Sequence, residues 1–337
     1  MSMTPASDMA NALFLRRQTA TLKSALTRHS QELTTGRFAD PLRGLRGDTA
    51  ALAALERSRT ALSAHGLATT EAALHTAGQQ RVLEKLRESA VDVATQLLTV
   101  GNAAAPHMVE TAARIGSSAF SDAVSSLNAR LSDRSLFAGA ASDGPAVVAP
   151  EAMVASLMAE IDGATTAEEV AARVFAWFDD PGGFDVPGQG FAGATQPEGP
   201  LTIAPGERIS LTATAASPEL RPVLAGLALT AVVEAGALAG DNAARADLLQ
   251  RAAIRLAGST VGLTALAGEI GDTEARIERA AVRNANELTA VEIAVNDLIG
   301  VSSLDAATRL EETRVRIESL FALTARLQRM SLTEFLR

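Results

Sequence analysis

Residues 263–298 read LTALAGEIGDTEARIERAAVRNANELTAVEIAVNDL, with no proline in the stretch. One set of positions carries the pattern: Leu263, Leu266, Ile270, Thr273, Ile277, Ala281, Asn284, Leu288, Val291, Val295 and Leu298. The steps alternate between three and four residues, except for successive four-residue steps at Ile277. That spacing puts the series on one face of a long helix, and the extra step is a stutter that locally unwinds a supercoil.

Working outward, the pattern recurs at both ends of the chain. Residues 304–331 repeat it with Leu310, Ile317, Leu320 and Leu327, and residues 8–35 carry Leu15, Leu22, Leu26 and Leu33, with Thr19 and His29 filling the gaps. The stretch TTGRFADPLRGLRGD (34–48) stops the first helix through Gly36, Pro41, Gly44 and Gly47. A second helix is expected over 67–100, where Val82, Leu86, Val93, Leu97 and Val100 share a face. A third is expected over 107–131 on Phe120, Val124, Leu127 and Leu131.

The middle, 139–240, holds most of the prolines. It predicts one helix over 150–178 and then a hairpin in LTIAPGERISLTA, where Leu201, Ile203, Ile209 and Leu211 alternate about Pro205-Gly206. None of the seams can bury itself alone, and each apolar side chain taken out of water contributes about 1.5–3 kcal/mol. The expected fold is therefore mainly α, an elongated antiparallel helical bundle or coiled-coil rod built from the N- and C-terminal helices. A small α+β insert interrupts it. The expected division is 1–40 with 302–337 as terminal coiled-coil helices, 41–138 with 241–301 as a helical rod, and 139–240 as an outer insert. At the passage from helix to insert, RLSDRSLFAGAASDGP (130–145) carries a small apolar flag. Leu136 and Phe137 are expected to anchor the helix end, and Gly139 to let the chain turn away.

Composition narrows the function. Aromatic residues are only 3% of the chain although apolar residues reach 47%, so alanine-rich helices must supply most of the packing. A net charge of −9, with scattered arginines and no basic cluster, excludes nucleic-acid binding through the phosphate backbone. The absence of cysteine removes disulfides, thiol nucleophiles and thiolate metal sites. The longest apolar stretches, PVLAGLALTAVV and LAGSTVGLTALAG, are shorter than the roughly 20 residues a bilayer span needs. The N-terminus has no basic start followed by an apolar core, so neither membrane insertion nor a cleaved signal peptide is expected.

The chemical motifs are weak. GQGFAG (188–193) has the letters of a dinucleotide fingerprint, but turn-like sequence lies on both sides where a strand and a helix are needed. RGD (46–48) reads as a linker turn. Asp179, Asp180 and Asp185 do not complete a calcium loop, because Gly190 stands in place of its closing glutamate. His29, His65, His75 and His107 are scattered, and no serine sits in a nucleophile elbow. No catalytic, cofactor-binding or metal residues are expected, and the chain is not read as an enzyme.

Three stretches together carry a resemblance. LTTGRFADP (33–41), LNARLSDRSLFAGAASDGPAV (127–147) and the ending SSLDAATRLEETRVRIESLFALTARLQRMSLTEFLR (302–337) occur in the order and spacing seen in the flagellin superfamily. The chain resembles that superfamily, most closely its hook-filament junction branch (hook-associated protein 3). Ser135 stands where the superfamily often has tyrosine. The resemblance implies a structural protein of the bacterial flagellum, exported through the flagellar secretion apparatus without a cleaved signal. It implies self-assembly with like subunits, with an adjoining hook-associated protein and the flagellin filament as neighbours. An export chaperone would bind the C-terminal helix. On this basis the assembly seam comprises Leu15, Leu22, Leu26, Leu33, Leu310, Ile317, Leu320 and Leu327. The same resemblance admits the filament subunit, flagellin. A helical scaffold or enzyme with a coiled-coil stalk is the reading from another class, and it would require a convergent polar pocket.

Overall fold

A computed structural model describes residues 5–335 apart from 102–103 and 180, with side chains described for 9–10 and 13–326 among them. In chain order the elements are α1 (Pro5–Thr35), α2 (Pro41–Gly44), α3 (Ala50–Leu98), α4 (Pro106–Leu127), β1 (Arg130–Leu131) and β2 (Arg134–Ser135). There follow α5 (Pro150–Glu160), α6 (Ala167–Phe178), β3 (Leu201–Ala204), β4 (Glu207–Ile209), α7 (Arg221–Glu234), α8 (Asn242–Ile299) and α9 (Ser303–Phe335). The fold is mainly α, a helical bundle with a small α+β insert, and its strands form two antiparallel two-stranded sheets, β1–β2 before the insert and β3–β4 within it. The backbone divides into two compact units, Met1–Ser63 with Ala285–Arg337 and Ala64–Asn284.

In the first unit, α1 and α9 run against each other. The helix breaks after α1 and between α8 and α9 lie at the same level. Gly36 takes φ +68°, Arg37 pairs with Gly300, the Phe38 amide donates to the Ile299 carbonyl at 2.9 Å, and the Val301 amide donates to the Gly36 carbonyl at 2.9 Å. The Arg37 guanidinium adds a bond to Asn296 Oδ1 at 2.5 Å. Glu32 is buried here, where it meets His29 Nδ1 at 3.0 Å and accepts from the Ala39 amide at 3.4 Å. Asp40 then caps α2, with Pro41 in the first turn where no amide donor is needed.

The second unit is built around α7. Every residue from Val223 to Val233 is buried, so this helix is apolar all round and needs neighbours on all sides. Those neighbours include α4, α5 and α6. Gly116 on α4 lies directly over Thr230, and a Cβ there would collide with the threonine side chain. Thr230 satisfies its own hydroxyl by donating to the Leu227 carbonyl at 2.6 Å. The buried core runs through residues of α3, α4, the middle segment and α8 as one cluster.

The structure corrects several boundaries. The helix expected over 67–100 begins at Ala50, where Asp48 accepts from the Ala50 amide. The helix expected to reach 131 ends at Leu127, and 130–135 forms a hairpin through left-handed Ser132 and Asp133. The single helix expected over 150–178 is two, separated at Gly163, which takes φ +75°. Thr166 restarts the helix by accepting from the Glu169 amide, while Glu169 accepts from the Thr165 amide. On α8 it is Ala280 that is fully buried while Ala281 is half-exposed, so the successive four-residue steps fall at Asn284 instead of Ile277.

Candidate functional site

Two groups of residues carry the functional reading, one in each unit. In the first, the α1–α9 seam places Leu15, Leu22, Leu26, Leu310 and Ile317 half-buried and Leu320 buried, while Leu33 lies at the exposed margin. Leu327 lies outside the described side chains. Thr19 and Thr313 sit on the same faces and donate their hydroxyls to the carbonyls four residues back, so they pack without orphaned polar atoms. Two helices cannot enclose each other. Their outward sides leave Met9, Leu13 and Phe14 on α1, and Val315, Phe321 and Leu323 on α9, more than half exposed. Large apolar side chains are thus exposed on both of the adjoining helices.

In the second unit, the flag at 136–139 is held from several sides. Leu136 and Phe137 are buried, the ring fully so. Leu136 lies on α3 above Gly78, where an added Cβ would come within 2.9 Å of its Cδ1. Buried Gln79 donates from Nε2 to the Leu136 carbonyl at 2.7 Å and to the Ala213 carbonyl at 3.1 Å, tying two loop segments to one helix. The Phe137 carbonyl accepts from the Ala215 amide at 2.9 Å, and the Ala138 carbonyl from the Ala194 amide at 2.8 Å. Gly139 takes φ +59°, and a Cβ there would run into the carbonyl oxygens of Ala194 and Gln196, so no other residue fits. Asn128 holds the other side of the loop. Its Oδ1 accepts from the Ala146 and Val147 amides at 2.8 and 3.0 Å, and its Nδ2 donates to the Val147 carbonyl.

His75 sits beside this segment, within reach of the Leu136 backbone. Burial, helped by the charge of Arg134, holds its imidazole below the usual range against the opposing pull of that backbone and of Glu71. Farther along, Trp177, Phe178, Phe184 and Phe191 form a chain of ring contacts. Arg221 is buried there, donating to the Phe178 carbonyl and forming a two-pronged pair with Asp185 at 2.9 and 2.7 Å. The guanidinium holds the Asp185 carboxyl below its ordinary value.

The remaining motifs find structural roles. GQGFAG is a loop in which Phe191 pairs with Val147, and no helix opens behind it. Arg46 and Gly47 form a left-handed turn, and Asp185 is engaged by Arg221. Among the described residues no group of three or more His, Asp or Glu side chains could hold a metal ion, and no helix is long and apolar enough to cross a membrane.

Sequence reasoning missed the hydrogen-bonding roles of Gln79, Asn128, Asn284 and the Asp185–Arg221 pair. Two of these left a trace: Gln79 extends the Val82–Leu86 face, and Asn284 occupies a seam position, so each is a polar residue where the pattern calls for an apolar one. Asn128 and Arg221 left none, because their partners come from loops distant in sequence.

Comparison with known proteins adds one finding. No protein-family model matches this chain, and no curated protein matches it. Among solved structures the chain is similar to a candidate flagellar hook-associated protein from Vibrio parahaemolyticus. The match has a TM-score of 0.51 and 15% identity, and it covers 77% of this chain and 98% of that one. The likeness is one of fold. It spans nearly all of the other protein, so the helical architecture described above is shared and not confined to one helix pair.

Proposed function

We propose that this chain is a structural subunit of the bacterial flagellum that joins hook to filament as an assembled ring. The observation that carries the reading is the α1–α9 pair, whose seam closes inward while its apolar outer sides stay open. A protein with that surface gains stability by assembling with like subunits, burying side chains that are each worth about 1.5–3 kcal/mol. The fold shared with a hook-associated protein supports the flagellar assignment. The ending RLQRMSLTEFLR supports the junction over the filament subunit.

In this reading 1–40 with 302–337 are the terminal assembly helices, 41–138 with 241–301 the rod, and 139–240 the outer insert. The chain leaves the cell through the flagellar export apparatus, and a chaperone covers the apolar stripe around Leu310–Leu327 until assembly. Its neighbours are an adjoining hook-associated protein and the flagellin filament. The role is mechanical and uses no chemistry or cofactor.

Deleting the gene tests this directly, with filament protein assayed on the cell surface and in the medium. The junction role predicts bare hooks and abundant filament protein shed into the medium. Missing filaments without shed protein would identify the filament subunit instead, and normal filaments would refute the flagellar reading altogether.

A further inference from the structure

We infer that residues 197–212 form a strap that opens and closes over α3 and α8 independently of the main core of the second unit. Both ends of the strap are pinned to one short piece of backbone. Before it, the Gln196 carbonyl accepts from the Ala140 amide at 3.0 Å. After it, the Ala213 carbonyl accepts from Gln79 at 3.1 Å, and the Ala215 amide donates to the Phe137 carbonyl. A loop whose ends lie together can swing outward about those ends with little change elsewhere. Pro197, Gly199 and Pro200 supply its leading segment.

What holds the strap down is separate from what holds the unit together. The β3–β4 hairpin pairs Leu201 with Ile209 and Thr202 with Arg208, and turns at left-handed Gly206. The strap's own Ile203, Ala204, Ile209 and Leu211 pack on Ala72 of α3 and on Ile277 and Ala280 of α8 as a second, smaller buried cluster, distinct from the large core. Side chains from the two helices then grip the outward backbone of the hairpin. His65 Nδ1 meets the Thr202 carbonyl at 3.3 Å, Asn284 Nδ2 donates to the Ile203 carbonyl at 2.7 Å, and Arg276 donates to the Arg208 carbonyl at 3.0 Å. Glu207 pairs with Arg283 and lies 3.8 Å from Arg276, and Glu198 pairs with Arg134.

Every one of these polar grips can be replaced by water once the hairpin lifts, whereas α7 has no such alternative. A segment fastened by one seven-residue apolar cluster, separate from the large core, and by polar bonds that water can replace opens at lower cost than that core. It also explains why a polar residue, Asn284, occupies a seam position on α8: its partner is the strap and not a facing helix.

Native-state hydrogen exchange on the full chain, read by mass spectrometry, tests this with the variants Asn284→Ala and Glu207→Ala. The β3 and β4 amides should exchange faster than those of Val223–Val233. Asn284→Ala should accelerate the strap amides about tenfold, the effect of one lost hydrogen bond, and leave α7 unchanged. Glu207→Ala, at a partly exposed residue, should accelerate the same amides by a smaller factor, and it carries the comparison alone if Asn284→Ala does not fold. Strap and α7 amides exchanging at one rate and shifting together would overturn the inference, as would strap exchange that neither variant alters.

Discussion

Replacing Phe137 by alanine tests the anchor most severely. The ring is fully buried, and the backbone around it is fixed on two sides, by Gln79 on the Leu136 carbonyl and by the Ala215 amide on the carbonyl of Phe137 itself. The site therefore collapses poorly around the lost ring, which puts the cost toward the upper part of the usual 3–5 kcal/mol. For a unit of this size each kcal/mol moves the thermal midpoint by about 2–4 °C, so a fall of roughly 8–20 °C is expected. The protein supplies its own reporter. Trp177 is its sole tryptophan and packs edge-on against Phe178 and Phe184 in the core of the second unit. Its fluorescence follows unfolding of that core without a signal from α1 or α9. Gly139→Ala should lower the same midpoint by a different route, since a Cβ at φ +59° is strained by about 1–2 kcal/mol before it meets the Ala194 carbonyl. A Phe137→Ala midpoint within about 2 °C of the parent would refute the anchor.

Three further outcomes follow from individual side chains. In the folded state Arg221 holds the Asp185 carboxyl below its usual 3.8, so on acidification the unfolded chain takes up the proton first. The pair's contribution is complete above that value and is lost as pH falls through the folded one. Asp185→Asn should therefore lower the Trp177 midpoint at neutral pH and converge on the parent in strong acid; an unchanging gap would contradict the pairing. His75 is held below 6.5 mainly by burial, so acidification below that value favours the unfolded chain until the folded value is passed. His75→Gln should flatten that slope in a stability profile across mildly acid pH, and an unaltered slope would place its origin elsewhere. Asn128→Ala strands the Ala146 and Val147 amides and should cost about 1–3 kcal/mol in urea unfolding, against a null result if water replaces the side chain.

Much of the fold was legible because helical periodicity is local. The Leu263–Ile270 run and the Val82–Leu97 run are buried on the faces their spacing indicated, and the hairpin about Pro205-Gly206 formed where alternation placed it. Leu136, Phe137 and Gly139 stood out as an apolar flag beside a glycine. Helix ends were less legible. Gly163 divides an otherwise continuous apolar pattern, and Ser132 and Asp133 reverse the chain in left-handed conformations that their residue types do not advertise. The PVLAGLALTAVV stretch offered no periodicity, because a helix buried on all sides has no polar face to reveal its period.

The sequence by itself determined that this is a mainly α chain of long helices with apolar positions at helical spacing, since side-chain spacing along a helix follows from backbone geometry alone. Tertiary structure decided which polar residues matter. Gln79, Asn128, Asn284 and Arg221 each satisfy carbonyls, amides or a carboxylate supplied by segments far away in the chain. A hydrogen bond needs its partner within about 3 Å in the right direction. Residue spacing holds no record of that geometry until the loops have folded onto the helices.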